Sequence, residues 1–450
     1  MNLIKSILLT KRPLFWVLFH LLIGGITAFT PYLFIFWFYL VLLSSLVFFF
    51  SKRFHVFPIV ASFSYLISFE LLARMGQTSP LIPYEMGKYL LFIFLCAGIV
   101  NARSKSKVGW VLLILLLPAF FFDFSGEVIF SDIVFNALGA INLCLIIIFL
   151  RGQAFTKKRL VAVLKLCIYP IISVLSYLWI KNPSLNEIEF ELSANFSTTA
   201  GFGSNQVSTM LGLGAFLMFI FVVNRWEFSG FRILDYFLVF LFTFQGLITF
   251  SRGGMVGALL GVLIIMATLT FTSRRALHHY RLPNINKYVF FGILLLVAAF
   301  FIVDDFTDGA LTLRYQGETA GTLSGNKEKS LNTLTTGRYD IFLGDVELWL
   351  DHLIMGVGVG ASKYMRMLHN GVVAHVELSR LLSEHGVFGL LFSVILVRIG
   401  FSIRNKSVNP MINAILISFF VIALYTTFHA AMRTYITPLL VGLSLLNVRK

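Results

Sequence analysis

Three residues in this sequence, Arg252, Arg338 and His375, have types and settings that could do chemistry. Arg252 sits in SRGG, Ser251 to Gly254, where one long apolar run ends and the next begins at once. A guanidinium held there by a glycine pair suits bidentate capture of a phosphate or diphosphate. The alternative is an arginine whose head group snorkels to a lipid surface. Arg338 follows Gly337 and opens an amphipathic stretch, 338–354, with Ile341, Phe342, Val346, Trp349, Leu350 and Leu353 against Asp340, Asp345 and Glu347. Arginine at a helix N-terminus is disfavoured by the macrodipole, so it calls for an anionic neighbour. Asp340 or Asp345 could be that neighbour, or a ligand phosphate could. In AHVELSRLLSEHG, 374–386, His375, Glu377, Arg380 and Glu384 recur at helical spacing. A histidine beside arginines stays neutral and can take a proton as a general base, or it is simply structural. Arg380 and Glu384 form an i,i+4 pair, and Arg380 is a candidate for substrate contact. Asn205 lies in the polar turn GFGSNQ, 201–206.

Other features carry less. GVGVG, 356–360, lacks the strand–turn–helix setting of a phosphate loop and is expected to be a turn. His278 and His279 lie in a basic turn and are expected to be solvated. Cys96, Cys144 and Cys167 fall inside apolar runs, so no disulfide framework is indicated. Neither an acidic metal-binding cluster nor a nucleotide motif is present, and no metal or cofactor is expected.

The elements that must position these residues follow from composition. Of 450 residues 58% are apolar and 13% charged, against about 25% charged in a soluble domain. That excludes a soluble enzyme, a disordered chain and a disulfide scaffold. The net charge of +15 would suit a nucleic-acid binder, but the basic residues sit in short turns between apolar runs, which the positive-inside rule explains better. The apolar runs predict an all-α polytopic membrane protein with about fourteen transmembrane helices. Helices 1–11 would occupy residues 1–303, a large partly helical loop 304–385, and helices 12–14 residues 386–450. Most of the 36 Lys and Arg fall in alternate turns, such as Arg151 to Arg159 and Arg274 to Lys287. Of the 21 acids only Glu227 and Asp235 share that side. The positive-inside rule then puts both termini in the cytoplasm and the loop outside. The first residues, MNLIKSILLTKR, are expected to be a retained cytoplasmic end. Within the loop, 304–336 is expected to be irregular, and a helix should run from about Ala374 into the next span.

The order SRGG, then GR with an amphipathic helix and GVGVG, then AHVE…EHGVFGLL, resembles the O-antigen ligase and O-antigen polymerase superfamily of bacterial inner-membrane glycosyltransferases. His375, followed after ten residues by Gly386, is similar to the ligase-type His–Gly motif. GFGSNQ is similar to an Asn-containing turn of the family. The resemblance covers residues 200–206 and 245–390, less than half of the chain. Val376 stands where the family commonly has a polar residue, and His369-Asn370 offers a His–Asn pair at a different distance from Gly386. The resemblance implies a GT-C-like fold and a metal-independent, inverting reaction at the periplasmic face. The donor would be an undecaprenyl-diphosphate-linked glycan, and the acceptor lipid A–core oligosaccharide for a ligase or a lipid-linked repeat unit for a polymerase. It also implies that Arg252, Arg338, Arg380 and Asn205 bind substrate among membrane lipids, while His375, Arg338 and Arg252 carry the reaction. A lipid-linked oligosaccharide flippase would share the span count, and a peptidoglycan-type glycosyltransferase the external catalytic loop. The first should not need a long external loop with helices, and the intramembrane pattern expected of the second is not found.

Overall fold

A computed structural model describes residues 4, 7, 12–51, 55–102, 105–184, 187–280, 282, 285–405, 407 and 409–449. Lys5, Lys11, Lys52, Arg53, Arg103, Arg281, Lys406 and Lys450, part of the basic pattern above, lie outside those residues. The fold is all-α. Among the described residues the strands are Ala154–Thr156 and Asn447–Arg449, a parallel pair with Phe155 opposite Val448.

Helices lie over each of the fourteen apolar stretches. Among the described residues seven are long and apolar enough to cross a membrane: Val56–Met75, Phe130–Leu150, Lys157–Lys181, Ser204–Val223, Arg252–Thr270, Ile285–Phe306 and Pro410–His429. Five apolar helices are shorter, including Pro13–Thr27 and Val387–Phe401. In an apolar medium only an internally bonded backbone is stable, which favours helix over these runs.

Ser204–Val223 lies almost wholly inside the protein, against Arg232–Leu247 and Arg252–Thr270. The approach to Arg252–Thr270 needs Gly254, because a methyl there would strike the backbone of Ser208. Arg252–Thr270 packs in turn against Pro410–His429. The N-terminal ends of Ser204–Val223 and Arg252–Thr270 thus meet the C-terminal end of Pro410–His429. That end of the bundle carries the candidate site. Glu70 and Arg74 pair inside the protein, and Arg74 also donates to Gln206, 2.6 Å, beside Asn205.

The segment 304–385 differs from expectation in three places. Residues 304–336 are not irregular: Ala310–Tyr315, Ala320–Leu323 and Leu331–Leu334 are short helices. Thr319 with Thr322 and Ser330 with Thr333 close capping boxes, hydroxyls serving where Glu or Gln is usual. Next, the amphipathic helix, Arg338–Asp351, turns a supposedly polar residue inward. Asp345 is fully buried, accepting from Ser379 at 2.8 Å beside Arg366 at 3.6 Å, while Leu350 and Leu353 are exposed. Finally, no helix runs from Ala374 into the next span. Glu377–His385 begins after His375 and stops at Gly386, where φ is 60°, before Val387–Phe401 starts. GVGVG is the turn expected, and it seals that helix end: the N–H groups of Val357 and Gly358 donate to the carbonyls of Ser383 and Glu384 at 2.8 and 3.1 Å. A side chain at Gly356, φ 74°, would clash with Glu384.

Candidate active site

Where these helix ends meet the segment 304–385, a cavity of about 1230 Å³ opens. Its wall includes Asn205, Arg252, Arg314, Arg338, Tyr425 and His429. Two of the candidate catalytic residues, Arg252 and Arg338, and the candidate Asn205 are therefore brought together from three distant parts of the chain.

Arg252 occupies the first turn after its N-cap, Ser251, and reaches into the loop. Its Nη1 donates to the carbonyl of Arg314 at 3.0 Å and its Nη2 to that of Leu334. The SRGG glycines serve packing: Gly254 admits the neighbouring helix, and Gly253 lies against the ring of His429. Arg338 donates to the His429 carbonyl at 3.0 Å, which Asn205 Nδ2 also approaches at 3.2 Å. Neither expected acid pairs with Arg338. Asp340 accepts from Asn332 and stands 3.8 Å from His369, and Asp345 faces Arg366. Burial pulls the Arg338 pKa below its ordinary value, and the Arg252 charge adds to this. Backbone carbonyls anchor these guanidiniums without neutralising them.

Arg314, Tyr425 and His429 were not among the expected residues. Arg314 donates from Nη1 to the carbonyl of Leu192 at 3.0 Å. Burial, then the charges of Arg252 and Arg338, lowers its pKa to about 10. Tyr425 and His429 stack at 4.9 Å, and His429 Nε2 lies 3.2 Å from the Thr209 hydroxyl. Both sit in the last turns of an apolar helix, where composition alone marks them as ordinary span residues.

His375 is close to the cavity but not in its wall; its neighbour Val376 is. It sits in a loop, not on the helix, because that loop is clamped from residues far along the chain. Arg433 Nη2 donates to the carbonyls of Val373 and Ala374 at 2.8 and 2.7 Å. The Ala431 N–H donates to the His375 carbonyl at 2.9 Å. The imidazole Nδ1 is buried without a hydrogen-bond partner among the described residues. Burial, then Arg433, Arg338 and Arg366, lowers the His375 pKa to about 3, so the ring is neutral at pH 7.

Arg380 does not line the cavity. It is buried between Glu377 and Glu384, bonded to the latter at 2.7 Å, and these two carboxylates hold its pKa above the ordinary value although burial opposes it. The expected substrate contact is instead a closed ionic triad, which welds the helix Glu377–His385 internally. Glu377 also accepts the Met432 N–H at 3.1 Å, fixing the turn that carries Arg433. His369 is half-exposed and lies outside the wall. Among the described residues no group of three or more potential metal ligands occurs.

Chemically, the arrangement is a roomy cavity with arginines that pair with no acid among the described residues, aromatic side chains in its wall, and a neutral imidazole adjoining. No known protein family matches the sequence, and no curated protein is detectably similar to it.

Proposed function

We propose that the protein is an O-antigen ligase, moving a glycan from undecaprenyl diphosphate to lipid A–core oligosaccharide. On this reading fourteen helices cross the bacterial inner membrane, both termini are cytoplasmic, and the cavity faces the periplasm. One observation carries the proposal: Arg252 and Arg338 converge on one cavity with carbonyls as their hydrogen-bond partners and, among the described residues, no acid paired to either. An arginine taken out of water without a counter-ion is costly, and a bound anion relieves that cost.

The mechanism follows from charge. Arg252 and Arg338 bind the diphosphate in the donor. An acceptor hydroxyl attacks the anomeric carbon from the opposite face, and the carbon–oxygen bond breaks with both electrons passing to the phosphate oxygen. The arginines neutralise charge at the departing oxygen, the strongest form of transition-state stabilisation available here. His375 takes the hydroxyl proton. A free imidazole with a pKa near 3 is a weak base, but part of that depression comes from Arg338. Burial and Arg433 act more strongly, so a donor that offsets the Arg338 charge raises the basicity of His375 only in part.

A polymerase joining lipid-linked repeat units is the second reading, favoured by Val376, which lines the cavity where the resembling family commonly has a polar residue. The glycan profile of a deletion strain separates the two. A core without long glycan, with lipid-linked polymer accumulating, is the ligase outcome. A core carrying one repeat is the polymerase outcome, and an unchanged profile rejects both. The topology has its own check. A cysteine at the exposed Ser324 should react with an impermeant maleimide in spheroplasts, whereas labelling at Ser106 instead would invert it.

A further inference from the structure

Arg314 belongs to no motif, yet its setting is more suggestive than that of either expected arginine. It is 5% exposed and lines the cavity. Nη1 donates to Leu192, and Nε approaches the carbonyl of Phe250 at 3.4 Å, directly before SRGG. Its own carbonyl receives Arg252 at 3.0 Å. These bonds fix the guanidinium against the wall, and among the described residues Nη2 has no hydrogen bond. Glu318, four positions on, would be its natural helical partner. The helix ends at Tyr315, however, and Glu318 pairs with Lys329 at 2.7 Å. Glu191, the acid in the cavity wall, makes no ion pair with it among the described residues. The charges acting on Arg314 are those of Arg252 and Arg338, both repulsive.

We infer that Arg314 is a third anion ligand of this cavity, and that it meets the charge which appears on the diphosphate when the glycosidic bond breaks. The inference rests on the proposed function and deepens it. Each phosphorus of a glycan-linked diphosphate carries about one negative charge, and two arginines balance those. When the anomeric carbon leaves, the freed phosphate oxygen keeps the electron pair, and the lipid diphosphate gains most of a third charge. The acceptor proton goes to the base, so it does not cancel that charge. A third guanidinium fixed in the wall then binds the product and the transition state more tightly than the donor. Only such a difference accelerates the reaction.

The test measures binding to the purified full-length protein of geranylgeranyl diphosphate and of the same compound with its terminal phosphate capped as a methyl ester. The two differ in the third charge and by one methyl group on the oxygen that carries it. Arg314→Gln should weaken the free diphosphate about tenfold or more and the methyl ester by less than about threefold. Equal losses for both ligands, or no loss for either, would overturn the inference. Arg252→Ala and Arg338→Ala should weaken both ligands. If they do and Arg314→Gln does not, this inference fails alone; if neither does, the reading of the cavity fails with it. Should Arg314→Gln not fold, Arg314→Lys carries the test. A point charge without the planar fork should reduce the preference for the free diphosphate about threefold, and an unchanged preference counts against the role.

Discussion

Arg380 and Arg338 lie at the same end of the molecule, both are largely buried, and both were candidates for substrate contact, yet their surroundings are opposite. Arg380 has a carboxylate one turn before it and another one turn after it. The triad is closed, carries one net negative charge if both acids are ionised, and offers a ligand nothing. Among the described residues Arg338, with Arg252 and Arg314, is held by backbone carbonyls alone, which orient a guanidinium but leave its charge exposed to a cavity. The difference teaches a rule for chains of this kind. Burial of an arginine is uninformative by itself; the identity of its partners separates a structural rivet from an anion site.

The comparison sharpens first at the chemistry. His375→Ala should lower transfer by about 10²–10⁴ while leaving donor binding nearly intact, because the arginines hold the donor. Near-normal turnover would remove the base assignment, and a dead His369→Ala in the same assay would move it there. The second effect falls on stability. Arg380→Ala leaves two buried carboxylates uncompensated and should cost about 3–5 kcal/mol, read as a lost or strongly lowered melting transition. A folded Arg380→Ala protein that fails only in donor binding would erase the contrast. Third, Arg252→Ala and Arg338→Ala should each weaken donor binding by roughly 10- to 100-fold, the worth of charged hydrogen bonds. Their melting temperatures should not fall, since each substitution relieves like-charge repulsion. Loss of stability comparable to that of Arg380→Ala would make the two arginine classes the same.

Much of the fold was legible because apolar runs leave the backbone few options: a helix lies over each expected apolar stretch, although the helix expected from Ala374 into the next span does not form. Crossing length, reached in seven helices, was harder to read. Helix ends depend on caps and glycine turns such as Gly386 more than on hydropathy. Within the site, Arg252, Arg338 and Asn205 were visible because each sits at a break between apolar and polar sequence. Arg314 was hidden behind Glu318, a plausible i,i+4 partner that the chain then directs elsewhere. For Arg380 the error ran the other way. Glu377 and Glu384 flank it at the spacings of a structural pair, and they decided its fate. His375 could not be placed on a loop from local sequence, since its clamp, Arg433, is 58 positions away and inside another apolar region. Asp345 looked solvent-facing for a similar reason: Arg366 and Ser379, which draw it inward, come from outside its helix.

Three guanidiniums sharing one cavity also make the empty protein a strained electrolyte. Their mutual repulsion is opposed by any dissolved anion that can enter, and screening becomes effective near 0.1 M salt, where the Debye length is about 10 Å. The empty protein should therefore melt higher as ionic strength rises, in contrast to one held together by surface ion pairs. Multivalent oxyanions should act well below that concentration. At a hundred times its dissociation constant a bound anion adds about 2.7 kcal/mol, so pyrophosphate and chloride at equal ionic strength should give different melting temperatures. Buffer composition thereby becomes a reporter on the cavity before any substrate is in hand.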